Sequence, residues 1–426
     1  MLIIDYMENK IYKYLVCLAF TCCLLLATAP AANSYGILAH QAVVDAAWEE
    51  SLKPLLLQRF PDATEEELQK AHAFAYGGSI VQDMGYYPFG SVFFTNLTHY
   101  VRSGDFVLNM IKASETLNEY AFALGTMAHF NADIYGHPIG TNQAVALVYP
   151  EVRAEHGDVV TYEEDPIAHI KTEFGFDVLQ VARGGFAPEA YRNFIGFEVS
   201  EEVLKKAFVE TYGLELNKVF LDLPLAIGSY RYTIRNLFPR LTKAAWQAKK
   251  SEIQEAQPGA TRRKFVYRMN KAKYHENWGK NYERPGFFAR VLAWIIKMLP
   301  KIGPLRPLAF KPPTPEAEEL FLKSFNVTVD NYIAMLSQMG PGEPAMENMQ
   351  LDTGKLIAPG QYESTDEAYA ELLEELSGND FEHVTPALQV NILQFYQHAR
   401  APHQEKEIED WEETQELLAR LKAMQL

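Results

Sequence analysis

The stretch that decides the fold is residues 123–138, ALGTMAHFNADIYGHP. In it, His129, Asp133 and His137 follow one another at steps of four, which places all three on one face of an α-helix, one turn above the next. The surrounding side chains are apolar nearly all round, so we predict that this helix is buried. Because an uncompensated buried charge is costly, the three polar side chains need partners.

A metal cluster is one partner that would satisfy this helix. With a rise of about 1.5 Å per residue, His129 and His137 stand roughly 12 Å apart along the axis, so a single ion has difficulty reaching both. Asp133 lies midway, where a carboxylate can bridge two ions. A buried hydrogen-bond network remains the alternative interpretation of this run taken alone.

A second run, residues 165–177, repeats the same spacing in DPIAHIKTEFGFD. His169, Glu173 and Asp177 share one helical face, and Pro166 suits the first turn of a helix. A histidine followed four residues later by a carboxylate can chelate one ion without strain. The alternative is a surface helix with ordinary acidic residues.

Composition limits the class of protein. The chain has 426 residues, of which 48% are hydrophobic, enough for one large domain or two to three smaller ones with a sizeable core. Lys and Arg number 39 against 55 Asp and Glu, a formal net charge of −16. Since a general nucleic-acid-binding protein needs a basic surface, nucleic acid is a disfavoured partner. An enzyme that holds phosphate through metals is not excluded.

The N-terminal 34 residues are typical of a secretory signal peptide. Two lysines precede an apolar stretch at residues 14–26, which is too short to be a good membrane-spanning helix. Cleavage after Ser34 would make Tyr35 the first mature residue, whereas cleavage after Ala29 is disfavoured by the proline that follows. We therefore expect a secreted or periplasmic protein.

All three cysteines lie within this N-terminal segment, at positions 17, 22 and 23. The mature chain would then have no disulfide framework, no thiolate metal ligand and no cysteine nucleophile. Any metal site must use histidines, carboxylates and backbone groups.

The rest of the chain shows no sustained strand alternation and no internal repeat, so we predict an all-α class. Two loops are expected, at residues 77–98 and 140–163. Helices are predicted over residues 35–58, 63–76, 104–117, 118–136, 164–182, 198–256, 314–338, 364–377, 386–399 and 403–424.

The predicted organisation has four regions: a signal peptide at 1–34, a helical domain at 35–256, a polar excursion with an amphipathic segment at 257–313, and a C-terminal helical region at 314–426. In the third region, residues 287–302 read FFARVLAWIIKMLPKI, with basic side chains on one helical face and large apolar ones opposite. This pattern is typical of a helix that lies on a membrane surface. A helix packed on the core is the alternative.

Three further candidate ligands lie upstream. Asp83 and His99 flank the first predicted loop, and His40 follows the predicted mature N-terminus by five residues. With them, the chain resembles the zinc-dependent phospholipase C family, which includes secreted bacterial phosphatidylcholine-hydrolysing enzymes and the N-terminal domain of glycosylphosphatidylinositol-specific phospholipase D. Fungal single-strand-specific nucleases share its fold and trinuclear zinc site. The matching positions, within about residues 35–180, are in order Tyr35, His40, Asp83, His99, His129, Asp133, His137, His169 and Glu173.

The resemblance implies a multi-helix phospholipase C or zinc nuclease-like domain with additional C-terminal helices and three zinc ions. The first zinc would be held by Asp83, His99, His129 and Asp133. The second would be held by His137, His169 and Glu173, with an open position. The third would be held by the amine and carbonyl of Tyr35, by His40 and by Asp133. Asp83 is also the candidate catalytic residue, orienting or deprotonating the attacking water.

The implied activity is that of a phospholipase C, a phosphoric diester hydrolase that releases a phosphorylated headgroup from a phospholipid by metal-activated water. The four-residue step from Asp133 to His137 is similar to that of the glycosylphosphatidylinositol-enzyme branch. A single-strand nuclease of the same fold and a non-catalytic zinc-stabilised binding protein are the alternatives. The aromatic residues of the first loop either line a headgroup pocket or pack in the core; they are Tyr86, Tyr87, Phe89, Phe93 and Phe94.

Overall fold

A computed structural model describes residues 36–183, 195–256, 309–339, 346–399 and 405–424. The predicted signal peptide, Tyr35, most of the polar excursion and the amphipathic segment at 287–302 lie outside the described residues. The described residues are 76% helical with almost no strand, which confirms the predicted all-α class. Among these residues, the only strands are β1 Met349–Gln350 and β2 Lys355–Leu356, an antiparallel pair with Met349 opposite Leu356.

The helices are numbered here in chain order over the described residues. A π turn at Trp48–Leu52 joins the first two, a 3₁₀-helix at Val81–Tyr86 follows the third, and two more π turns lie at His137–Thr141 and Thr233–Leu237. The α-helices are α1 Ile37–Ala47, α2 Lys53–Arg59, α3 Glu65–Gly78, α4 Val92–Tyr100, α5 Ser103–Ala113, α6 Leu117–Gly136, α7 Asn142–Val148, α8 Pro150–His156, α9 Pro166–Arg183, α10 Glu201–Tyr212, α11 Leu216–Val219, α12 Leu223–Tyr232, α13 Phe238–Ala256, α14 Pro315–Gln338, α15 Glu363–Gly378, α16 Pro386–Gln397 and α17 Glu405–Ala423.

Helix α6 lies at the centre of the core. It begins with a capping box in which the Thr116 hydroxyl accepts the Glu119 N–H and the Glu119 carboxylate accepts the Thr116 N–H. Helix α3 packs closely against α6, because a glycine on each helix, Gly78 and Gly125, allows the two backbones to approach. A Cβ at Gly125 would stand 2.1 Å from the Ala75 carbonyl oxygen, and one at Gly78 would stand 1.9 Å from that of Phe122.

The sequence predicted a loop soon after Pro138, but the chain remains helical there. The His137–Thr141 π turn carries it onward, with the Asn142 N–H bonded to the His137 carbonyl, and α7 and α8 follow. A proline has no N–H and its ring conflicts with the carbonyl four residues earlier, and the wider turn accommodates both effects. The predicted loop at 140–163 is therefore wrong over residues 142–156.

The predicted loop at 77–98 is also wrong over most of its length, since it contains the 3₁₀-helix and most of α4. The Ser91 hydroxyl caps α4 by accepting the Phe94 N–H at 3.3 Å, a start signal hidden among aromatic residues. Tyr87 and Phe94 are buried in the core, whereas Phe89 is half-exposed with a φ of +65°.

Helix α14 and the β-hairpin complete the core around α6. The Tyr332 hydroxyl donates to the Leu124 carbonyl of α6 at 2.8 Å, and the Ser103 hydroxyl donates to the Met349 carbonyl of β1 at 2.6 Å. The domain boundaries predicted at residues 256 and 313 stay predictions. None of the helices in the described ranges is both long enough and apolar enough to span a membrane.

Candidate metal centre

Five parts of the fold bring the predicted ligand side chains to one place. They are α1, the 3₁₀-helix, α4, α6 with its π turn, and α9. Tyr35 lies outside the described residues. The other eight are at most 1% exposed, and they are His40, Asp83, His99, His129, Asp133, His137, His169 and Glu173.

Asp133 stands at the middle of this cluster. Its Oδ2 lies 3.0 Å from His129 Nε2 and 3.4 Å from His99 Nε2. Its Oδ1 lies 3.4 Å from His137 Nε2 and 3.5 Å from His40 Nε2. Each oxygen thus faces a different pair of imidazoles, which is the arrangement that a carboxylate bridging two ions requires.

The first group of ligands consists of Asp83, His99 and His129. Its two imidazoles are oriented by backbone carbonyls outside the cluster. His99 Nδ1 donates to the Thr95 carbonyl at 2.9 Å, and His129 Nδ1 donates to the Ser79 carbonyl at 3.0 Å. Because a carbonyl oxygen only accepts, both rings carry hydrogen on Nδ1, which leaves Nε2 as the nitrogen that can bind a metal. These two Nε2 atoms lie 3.5 Å apart, and Asp83 Oδ1 lies 3.4 Å from that of His99.

The second group is oriented by an asparagine that the sequence reasoning missed. Asn142 Nδ2 donates to the Asp352 carbonyl at 2.8 Å, so its Oδ1 accepts from His169 Nε2 at 2.8 Å. His169 Nδ1 is therefore bare, and it faces Glu173 Oε1 at 2.7 Å. His137 Nδ1 lies 3.8 Å from the same oxygen. At such distances the facing atoms must share a proton or a bound cation.

The pKa values of the imidazoles show how strongly burial and charge compete here. Burial and the charge of His129 lower the pKa of His40 to about 3. Burial, with the charge of His137, also holds the pKa of His169 well below its usual value. At His99 burial acts in the same direction, but the carboxylates of Asp133 and Asp83 outweigh it and raise the pKa to about 10. The carboxylates of Asp83 and Asp133 thus favour a positive charge beside them, and His40 and His169 do not supply it.

The carboxylates give the same indication. Burial raises the pKa of Glu173 well above its usual value, and repulsion from Asp83 and Asp133 adds to the effect. Among the described residues, only histidines lie within ion-pair distance of Asp133 and Glu173. These residues fit a metal, and a buried set of nitrogen and oxygen donors without thiolate suits zinc.

Three sets of ligand atoms lie close enough together to hold one ion each. Within each set the atoms are within 4.8 Å of one another, and the sets are His40 with His129 and Asp133, Asp83 with His99 and His129, and His137 with His169 and Glu173. The last set has the same members as the predicted second zinc site. His129 occurs in two sets, although the resemblance assigned it to the first zinc alone.

Two neighbouring tyrosines lie near the ligands, one beside His99 and the other beside His169. Tyr86 follows Asp83 by one turn of the 3₁₀-helix, so both side chains point the same way. Its ring lies 6.4 Å from that of His99, and the Tyr162 ring lies 5.9 Å from that of His169 and 6.1 Å from Tyr86. Burial raises the pKa of both phenols, so they remain hydrogen-bond donors. Tyr86 was one of the predicted aromatic set, whereas Tyr162 was missed.

Three other polar side chains make structural contacts outside the ligand sets. His72 stacks on Trp48 with ring centroids 3.7 Å apart, and its Nε2 lies 3.0 Å from Asp45, so it is a packed core histidine. Asp165 caps α9 by accepting the Ala168 N–H at 2.9 Å. Asp177 accepts the Leu38 N–H at the start of α1 at 3.1 Å.

Comparison with known proteins supplies one match. The sequence model of a family described as zinc-dependent phospholipase C matches residues 39–222, the stretch that carries all eight of the described candidate ligands. Searches of curated proteins and of solved structures found no match.

Proposed function

We propose that this chain is a member of the zinc-dependent phospholipase C family, whose sequence model matches residues 39–222. The protein is an exported phosphoric diester hydrolase that cuts a phospholipid on the diacylglycerol side of the phosphate. The observation that carries this proposal is the convergence of imidazole nitrogens on buried carboxylates, with outer groups fixing the tautomers of His99, His129 and His169.

Three zinc ions are proposed, held by the eight described side chains and by the backbone of Tyr35. When bound, zinc neutralises phosphate oxygens and lowers the pKa of bound water toward about 7. Asp83 lies at the edge of the first group and is the proposed base. Its carboxylate orients the attacking water and takes its proton, so that no covalent protein nucleophile is needed.

Tyr86 and Tyr162 are proposed to contact the phosphodiester. Their phenols are buried beside His99 and His169, and raised pKa values keep them protonated. They therefore donate hydrogen bonds to phosphate oxygens and help to exclude water from the reacting group.

Export and membrane contact belong to the same proposal. Residues 1–34 direct the chain out of the cytoplasm, and residues 287–302 lie on the membrane surface. Deletion or charge reversal of 287–302 is expected to weaken liposome binding while sparing a soluble substrate. Equal loss on both would show that the segment is structural.

The experiment that tests the function is a substrate panel with the zinc-loaded mature protein. Release of phosphorylated headgroup is measured on phosphatidylcholine and phosphatidylinositol, and release of nucleotides on single-stranded DNA. Hydrolysis of at least one phospholipid with the DNA left intact supports the proposal. Cleavage of the DNA alone would identify a nuclease of the same fold. Full zinc content with no hydrolysis would identify a zinc-stabilised binding protein.

A further inference from the structure

A concentrated apolar surface lies next to the metal centre, formed by two neighbouring segments. Its five large side chains, named here the apolar rim, are Phe89, Val92, Leu221, Leu225 and Tyr232. Phe89 is 51% exposed, Tyr232 is 60% exposed and Leu221 is fully exposed. Contiguous exposed apolar surface of this kind marks an interaction site more often than scattered single residues do.

Contacts between the two segments hold the residues of the apolar rim on neighbouring parts of the surface. The Ser229 hydroxyl of α12 donates to the Pro88 carbonyl, which directly precedes Phe89. Phe220, which directly precedes Leu221, packs on Phe94 of α4 with ring centroids 5.2 Å apart. The residues that carry the exposed side chains are therefore held against one another by their buried neighbours.

Helix α12 is apolar on both faces. Leu223, Ala226, Ile227 and Tyr230 are buried against the core. The opposite face carries Leu221 at its entry, then Leu225, Gly228 and Tyr232, a spacing of four, three and four that keeps them in line. A helix that exposes a line of apolar side chains while its other face packs on the core presents a surface suited to an apolar partner.

The apolar rim begins three residues after a tyrosine of the site. Phe89 follows Tyr86 by three residues, and Tyr86 lies against His99. The φ of Phe89 is +65°, a left-handed conformation that is unfavourable for an aromatic residue and that its surroundings must stabilise. The chain thus holds an aromatic side chain out of the core within a few residues of the candidate catalytic carboxylate.

Charge indicates what this surface meets. Residues 223–251 contain six Lys or Arg and no Asp or Glu, between Asp222 and Glu252, in a chain whose net charge is −16. Of these six, Arg231 pairs with Glu198 and Lys249 pairs with Glu252. Arg235 is exposed three residues beyond Tyr232. This local basic character next to exposed apolar side chains complements a phospholipid surface that contains anionic headgroups.

We propose that the apolar rim inserts into a phospholipid surface and sets the opening of the metal centre against the headgroups. The proposal rests on the proposed function only in its choice of a lipid substrate. It adds a contact surface on α12 and the Pro88–Val92 turn to the one proposed at residues 287–302.

The test uses the full mature protein and large unilamellar vesicles of phosphatidylcholine with a minority of phosphatidylglycerol. Vesicle affinity is measured by sedimentation, with lipid phosphorus in the pellet measured to correct for hydrolysis. The variant is Leu221→Glu with Leu225→Glu, and Tyr232→Ser gives an independent measurement at the other end of the rim. The matched control is Leu356→Glu with Val390→Glu, two exposed apolar residues on β2 and α16.

The double variant is expected to lose vesicle affinity by about tenfold per replaced leucine, because each loses the burial of one apolar side chain. The control is expected to bind as the wild type does, and all variants are expected to hydrolyse a monomeric short-chain phosphatidylcholine equally. Unchanged vesicle affinity in the double variant and in Tyr232→Ser would overturn the proposal.

Two further outcomes would also contradict it. A wild-type dimer that the double variant converts to a monomer in the absence of lipid would assign the apolar rim to a second copy of the chain. Parallel loss of short-chain hydrolysis and vesicle affinity would assign it a structural role. Since sedimentation does not require turnover, a protein that binds vesicles through the apolar rim but cleaves no phospholipid would contradict the proposed function alone.

Discussion

At the scale of single residues, the competence of the site depends on groups outside it. Thr95 and Ser79 accept the outward hydrogens of His99 and His129 through their carbonyls, and Asn142 accepts that of His169 through its side chain. Only the last of these contacts can be removed by mutating a side chain. It therefore offers a direct way to test whether tautomer control matters for metal binding.

Replacing Asn142 by leucine is expected to weaken zinc binding at the second group. The His169 ring loses the acceptor that fixes its hydrogen on Nε2, and loss of such outer partners costs about 10–100-fold in metal affinity. Competition titration with a zinc chelator measures the change. Gln143→Ala, which removes a neighbouring side chain bonded to Pro138, is the control. Equal affinity in Asn142→Leu and wild type would contradict the positioning role.

Asp83→Asn tests the proposed base. The amide keeps a ligand oxygen but cannot take a proton, so kcat at saturating zinc is expected to fall by about 10²–10⁴-fold. Asp45→Asn, a buried acid that contacts His72 outside the cluster, is the matched control. Full turnover with full metal content in Asp83→Asn would show that another group takes the proton.

Part of the site could be predicted from sequence and part could not, for a physical reason. His129, Asp133 and His137 were found because helical periodicity places steps of four on one face. Asn142 and Asp352 were missed because their bond joins residues 210 positions apart, and no local pattern encodes such a contact. Tyr162 was missed for the same reason, because it contacts the cluster from a segment whose sequence shows no helical periodicity.

At the scale of elements, the α3–α6 contact fixes where the ligand-bearing helix lies. The approach depends on glycine, since a Cβ at Gly125 would meet a backbone oxygen that cannot rotate away. Gly125→Ala is expected to lower the free energy of unfolding by about 1–3 kcal/mol, as overpacking does. Denaturant unfolding of the zinc-loaded protein measures this.

The control for that experiment is Gly228→Ala in α12. A Cβ there would meet nothing within 4 Å. The same substitution is therefore expected to stabilise the protein by about 0.5–1 kcal/mol, because alanine loses less backbone entropy in a helix. If Gly125→Ala does not lower the free energy of unfolding relative to wild type, α3 and α6 can separate without cost and the account of their contact is wrong.

Helix starts were predictable where acidic residues of the first turn follow a capping residue, as after Thr64 before α3. They were missed where the cap lies among glycines and aromatics, as at Ser91 before α4. The π turn after His137 was missed because a proline is normally a stop signal, and only the packed structure shows that the chain widens around it.

At the scale of the whole molecule, segments far apart in sequence pack around the metal centre. The β1–β2 hairpin contributes Asp352, whose carboxylate accepts hydrogen bonds from Tyr100 and Tyr362 at 2.6 Å. More than 300 residues earlier, Gly36 is buried, and a Cβ there would meet the Asp177 carboxylate at 2.5 Å. The start of α1 is thus enclosed by the helix that carries His169 and Glu173.

This enclosure makes the position of the mature N-terminus testable. A protein produced with Met before Tyr35 is expected to bind two zinc ions instead of three, because the amine proposed for the third ion has become an amide. Native mass spectrometry counts the ions, and a chain processed to begin at Tyr35 is the control. Three ions in both proteins would contradict the proposed role of the Tyr35 amine.

The central claim is that this all-α fold assembles buried side chains from distant helices into a zinc centre that hydrolyses phospholipids. Its most direct test is a zinc titration of the metal-free mature protein, with headgroup release from phospholipid vesicles measured at each equivalent. We predict no hydrolysis without zinc and a rate that rises to its maximum as three equivalents bind. Hydrolysis that is independent of zinc, or none with the centre filled, would contradict the claim.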